Sequence, residues 1–136
     1  MSKVTDFLEQ NMVVSLATSA GDKPRCSIME YVMLDGCMFF ATDPDSIKAN
    51  NLRQNSRVSA SVYNMPVFVT VDGAVTAPTQ AEIDAYNKVL FERHPEFKDY
   101  MTSGVMQPMA YYKLVGETAY YNDYSQGMSP AEIIEL

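Results

Sequence analysis

The chain has 136 residues, 47% apolar and 20% charged, which suits one domain spanning residues 1–136 that buries its core without staples. Its net charge of −7 speaks against a nucleic-acid surface, because a polyanion partner needs a basic face; any anion site is therefore local. Residues 1–6 lack the apolar core of a signal peptide and no apolar run approaches membrane-spanning length, so a cytoplasmic protein is expected.

In chain order, Lys3–Gln10 carries Val4, Phe7 and Leu8 at helical spacing and predicts a short, lid-like helix. Met12–Ser19 is β-branched and reads as a strand, turned by residues 20–24. Arg25–Leu34 alternates and predicts one strand, followed by the hairpin signal Asp35-Gly36 and a return over Cys37–Thr42. Cys26 and Cys37 are expected as reduced, buried thiols, since nothing in a chain of this size demands a disulfide.

Past a helix opened by Ser46, with Ile47 and Leu52 turned inward, Arg57–Tyr63 and Val67–Thr76 read as strands separated by Asn64-Met65-Pro66. Asp72-Gly73 is read as a bulge in one bent strand rather than a second hairpin. Thr79-Gln80-Ala81-Glu82 is a capping box opening a helix with Ile83, Tyr86 and Leu90 on one face, ending near Arg93. A second helical segment is expected over Pro95–Met101. Two tyrosine-rich strands, Gln107–Val115 and Thr118–Asp123, are separated by Gly116, and Ser129-Pro130-Ala131-Glu132 reads as another capping box. The lone His94, between Arg93 and Pro95, speaks for a helix end and against a multi-histidine metal centre. Six to seven antiparallel strands with two to three flanking helices make an α+β fold, and the need to cover sheet edges suggests a barrel.

The stretch Thr42–Asn55 reads as a candidate ligand site rather than as core. The apolar run Met38–Ala41 ends at the turn cluster Asp43-Pro44-Asp45, and Ser46 opens a helix with Lys48 on its first turn. Free N–H groups, the positive end of a helix dipole and one lysine suit a phosphate. The plainer reading, a capped helix with a solvated lysine, accounts for the same residues.

These elements, in this order, resemble the FMN-binding split barrel of the pyridoxamine 5'-phosphate oxidase-like superfamily. The resemblance rests on residues 24–28 (PRCSI), 40–48 (FATDPDSIK), 52–58 (LRQNSRV) and 71–75 (VDGAV), and runs from about residue 4 to about 123. It implies that Ser46, Lys48 and Arg25 hold the FMN phosphate, and that the main chain of Arg25, Cys26, Ser27 and Ile28 meets the polar edge of the isoalloxazine. Thr42 would lie beside it. It further implies a homodimer with flavin at the subunit interface, and hydride or electron exchange with a reduced nicotinamide, another small molecule or a redox partner. A non-enzymatic flavin or electron carrier is the alternative.

Two departures narrow the resemblance. Ile47 stands where many relatives have a second basic residue, so fewer charges would face the phosphate. The C-terminal arginine and histidine that grip substrate in the oxidases have no counterpart in residues 121–127 (YNDYSQG), so genuine pyridoxamine phosphate oxidase activity is not expected. Glu30, on an alternating strand, is expected to face water, and the methionines, Met29, Met33 and Met38 among them, to fill core and interface. No catalytic acid or base can be assigned from the sequence.

Overall fold

The computed structural model describes residues 2–104 and 108–136. Among these residues four helices and eight strands follow in the order α1 (Lys3–Glu9), β1 (Val13–Ala20), β2 (Lys23–Glu30), β3 (Val32–Leu34), β4 (Cys37–Thr42), α2 (Ile47–Gln54), β5 (Arg57–Asn64), β6 (Val67–Thr76), α3 (Gln80–Arg93), α4 (Pro95–Thr102), β7 (Ala110–Asp123) and β8 (Glu132–Glu135). All strand pairings are antiparallel and form one sheet ordered β2-β1-β5-β6-β7-β4-β3, with β8 added to β7.

The topology explains the curl. β2 and β3 stand at opposite ends of the sheet, yet only Tyr31 separates them in sequence. The sheet must therefore bend round until its two ends meet at that residue, giving an antiparallel split barrel in an α+β fold. Tyr31 is fully buried; its N–H donates to the Met12 carbonyl at 2.9 Å and its hydroxyl to the Leu8 carbonyl at 2.6 Å. Burial pushes its phenol well above the ordinary tyrosine range. Inside lie Val14, Leu16, Phe40, Val58, Val62 and Val69, closed at one end by Val4, Phe7 and Leu8 of α1. A smaller cluster, Val32, Phe39, Tyr86 and Leu90, glues α3 to the outside of β3 and β4.

Several local expectations hold. Asp35 (φ 50°) and Gly36 (φ 78°) form the left-handed hairpin turn between β3 and β4. Thr79 and Glu82 complete the capping box of α3. The register of β6 on β7 shifts at Asp72/Gly73, where Asp72 pairs with Thr118 and Gly73 with Gly116. The extra residue of this bulge is thus Glu117, on the partner strand.

Other expectations are corrected. Arg25–Leu34 is two strands rather than one, because Tyr31 turns the corner between them. Residues 110–123 form one strand running through Gly116, and Gln107, the expected start, lies outside the described residues. Ser129–Glu132 opens no helix; Glu132–Glu135 pairs with Thr118–Tyr121 as β8. Ile47 is 54% exposed, because α2 turns Ala49, Asn51 and Leu52 inward instead. Cys26 is a free, exposed thiol and Cys37 a free, half-buried one: β2 is an edge strand whose outer face no described residue covers at Cys26.

Candidate functional site

The site is built where β4 runs out into α2. β4 is buried through Thr42, and the chain then turns through Asp43, whose carboxylate accepts from the Asp45 N–H at 2.8 Å and whose carbonyl accepts from the Ser46 N–H at 3.0 Å. Ser46 caps α2, its Oγ accepting from the Ala49 N–H at 3.2 Å. At the far end of the helix Arg53 folds back and donates to the Pro44 carbonyl at 3.0 Å, which stiffens the turn. Side-chain hydrogen bonds lash α2 to β1: Asn51 Nδ2 donates to Thr18 Oγ1 and Asn55 Nδ2 to Ser19 Oγ, each at 3.1 Å.

That docking brings two cations together. Arg25 pairs with Thr18 across β1 and β2, so its side chain leaves the sheet on the face that α2 covers. Lys48, half-buried on the first turn of α2, donates to Thr42 Oγ1 at 2.7 Å, and Thr42 Oγ1 lies 3.3 Å from Ser46 Oγ. Burial lowers the lysine's pKa below its ordinary value, the nearby Arg25 guanidinium lowers it further, and Asp43 opposes both. Neither cation forms an ion pair with any described residue. Two hydroxyls, the Lys48 ammonium and the N-terminus of an eight-residue helix thus meet at one spot, with Arg25 near enough to act on the lysine's charge, an arrangement suited to a phosphate.

The structure therefore brings together the side chains of Arg25, Thr42, Ser46 and Lys48. It does not add those of Cys26 and Ile28: they pair with Ala17 and Ser15 on the opposite, outer face, where Ile28 is 76% exposed. Ser27, opposite Leu16, is half-buried on the inner side. What residues 25–28 can offer in common is main chain, since β2 pairs only with β1 and leaves its other edge free among the described residues. Alternation along β2 separates the side chains, as its period of two requires.

The family model for pyridoxamine 5'-phosphate oxidase matches residues 1–123. The chain belongs to the pyridoxamine 5'-phosphate oxidase family. Among solved structures it is similar to a conserved hypothetical protein from Mycobacterium tuberculosis (22% identity, 93% of this chain and 87% of that one, TM-score 0.77). It is also similar to an FAD-binding protein from Mesorhizobium loti (21%, 89% and 92%, 0.70) and to a heme binding protein from Mycobacterium smegmatis (16%, 99% and 59%, 0.76). At these identities the likeness is one of fold, the split barrel. No curated protein matches the chain significantly.

Within this family fold one polar group escaped the sequence reading. Glu30 does not simply face water. One carboxylate oxygen lies 2.6 Å from His94 Nε2 and the other 3.7 Å from Arg93 Nη1, while Arg93 also donates to the Tyr31 carbonyl at 2.7 Å. The three side chains are only a fifth to a third exposed. Together they clasp the α3–α4 junction to the barrel corner, with His94 at a helix end as expected. No helix is long and apolar enough to cross a membrane among the described residues.

Proposed function

We propose that the chain is an FMN-binding oxidoreductase that works as a homodimer. The carrying observation is Lys48 held on Thr42 beside Ser46 at the start of α2, with a second cation, Arg25, near enough to act on it and neither in a salt bridge among the described residues. Placing two cations together is unfavourable in the free protein and becomes favourable once a dianion lies between them. A terminal phosphomonoester suits this compact cradle, which supports FMN over FAD. The unpaired edge of β2 at residues 25–28 offers alternating N–H and C=O groups to the polar rim of the ring.

The flavin, when bound, supplies hydride or electron chemistry; the protein holds its phosphate, orients its ring and excludes water. No side chain is assigned as acid or base. The family name is not the substrate, since residues 121–127 offer neither the arginine nor the histidine that grips pyridoxamine phosphate in the oxidases. The outer faces of β1, β2 and β5 expose Val13, Ile28 and Tyr63, with Met12 and Met65 close by in sequence, an apolar surface that suits a second copy of this chain. A cytoplasmic location accords with two free thiols.

The test is the visible spectrum of the purified chain before and after FMN or FAD is added and excess removed, followed by anaerobic mixing with a reduced nicotinamide. Retained FMN bands that a Lys48→Ala variant loses would support the cradle. Flavin reduction by the donor would support an enzyme, whereas bound flavin reduced only by a redox protein would favour a carrier. A chain that refuses both flavins would overturn the proposal.

A further inference from the structure

A separate pocket of about 390 Å³ opens where β7 changes partners. β4 follows one edge of β7 only to Leu114, and β8 takes up the same edge from Thr118. Between them, residues 115–117 border a gap in the barrel wall, where the Leu136 N–H reaches the Glu117 carbonyl at 2.9 Å. The gap has packed walls. At Gly116 an added Cβ would lie 2.7 Å from Leu136 Cδ1 and 2.9 Å from Val71 Cγ1, so no larger residue fits without movement. Leu8, Met33, Met38, Leu114 and Ile134 line the pocket, and it reaches the core directly, since Leu8, Met38 and Leu114 are core residues.

We infer that this pocket binds a predominantly apolar, uncharged small molecule. Its volume falls in the lower part of the range of small-molecule sites, about 300–1,000 Å³, and two methionines give its lining the adaptability of flexible thioethers. The polar residues of the lining are few, Ser2, Thr5 and Glu135 among the described residues, and none of them is a cation. The neighbouring cation, Lys3, is held by Glu132 and lies over the Tyr121 ring, 4.5 Å from its centroid. An anion would thus meet a mostly apolar wall with no cation in the lining among the described residues, at a desolvation cost nothing there offsets. The site is not an extension of the phosphate cradle: Met38 lies in its lining and Thr42 in the cradle, about 13 Å apart along β4 at roughly 3.3 Å per residue.

Titration of the full chain with N-phenylnaphthylamine, a neutral fluorophore, against its anionic relative anilinonaphthalene sulfonate tests both the place and the charge preference. Saturable binding of the neutral probe at one per chain is expected, with the sulfonate weaker by about tenfold or more, the scale of an uncompensated charge in an apolar site. Ile134→Trp, which fills the pocket, should abolish it, while Tyr100→Ser on the exposed side of α4 should not; circular dichroism and urea unfolding report whether each variant is folded. No saturable binding, equal affinity for the sulfonate, or loss of binding on Tyr100→Ser alone would each overturn the inference.

Discussion

Lys48 Nζ donates to Thr42 Oγ1 at 2.7 Å, so the lysine is aimed by a buried hydroxyl at the end of β4 and not by a carboxylate. A neutral partner orients the ammonium and leaves its charge for a ligand. The cost is borne by the free protein, where burial and Arg25 both disfavour the protonated lysine. Lys48→Met should therefore raise the stability of the flavin-free chain, by roughly 0.2–1 kcal/mol for a partly exposed charge. The same change should weaken FMN by about tenfold to a hundredfold, the loss of one charge-assisted hydrogen bond of about 1.5–3 kcal/mol. Urea unfolding without flavin and fluorescence titration with it give the two numbers. A variant that loses stability and keeps its flavin would contradict the cradle.

The pH dependence follows from the direction of the Lys48 shift. Its pKa in the folded chain lies below the unfolded value of 10.5, so the protonated group opposes folding. The penalty is fully present below the folded pKa and is relieved as pH rises from that value towards 10.5. A bound phosphate favours the proton and reverses the shift. FMN affinity should thus fall as pH rises through the lowered pKa, from a plateau near neutrality. Removing the neighbouring charge in Arg25→Gln should move the midpoint of that fall upward while weakening FMN overall. A titration series across the alkaline range checks both, and an unchanged midpoint in Arg25→Gln would show that the two cations do not sense each other.

How far the sequence foretells this site depends on which contacts are local. Ser46, Lys48, the Asp35-Gly36 turn and the Thr79–Glu82 box announce themselves because cap and turn chemistry acts over a few residues. That Arg25 joins Lys48 depends on the register Arg25–Thr18 and on Asn51 reaching Thr18; the chain shows it only through likeness to a family. The break at Tyr31 has no glycine or proline to mark it, since the cause is a ring drawn into the core with its hydroxyl on Leu8. At Ser129–Glu132 the local signal points the wrong way: a capping pattern yields to pairing with β7, where tertiary contact outweighs propensity.

The clasp at Glu30 gives a third prediction. Its carboxylate, on the last residue of β2, holds Arg93 at the end of α3 and His94 at the α3–α4 junction, and its neighbour Tyr31 receives Arg93 on its carbonyl. Glu30→Gln removes the charge and keeps the shape. At about a third exposed, it should cost roughly 1 kcal/mol. Amide hydrogen exchange should quicken in α3 and α4 while β1 and β5 keep their protection, because α4 buries no side chain of its own. Uniform acceleration across the barrel would mean that the clasp is not local.

At Gly116 the barrel wall and the pocket make opposite demands on one atom. The residue faces Gly73 across β6 and β7, and an added Cβ there would press on Val71 inside and on Leu136 of the C-terminal segment. Leu136 is half exposed and can yield, whereas Val71 is held in the core. Gly116→Ala should therefore destabilise the chain by about 1–3 kcal/mol, the usual cost of overpacking. It should also loosen β8 more than any other strand, because the segment that can move is the one following it. Exchange of the β8 amides should accelerate before that of β6, and FMN affinity should stay unchanged, since the cradle at Arg25, Thr42, Ser46 and Lys48 shares no residue with this wall. If Val71 moves instead of Leu136, the core is softer than its burial implies, and β6 will exchange together with β8.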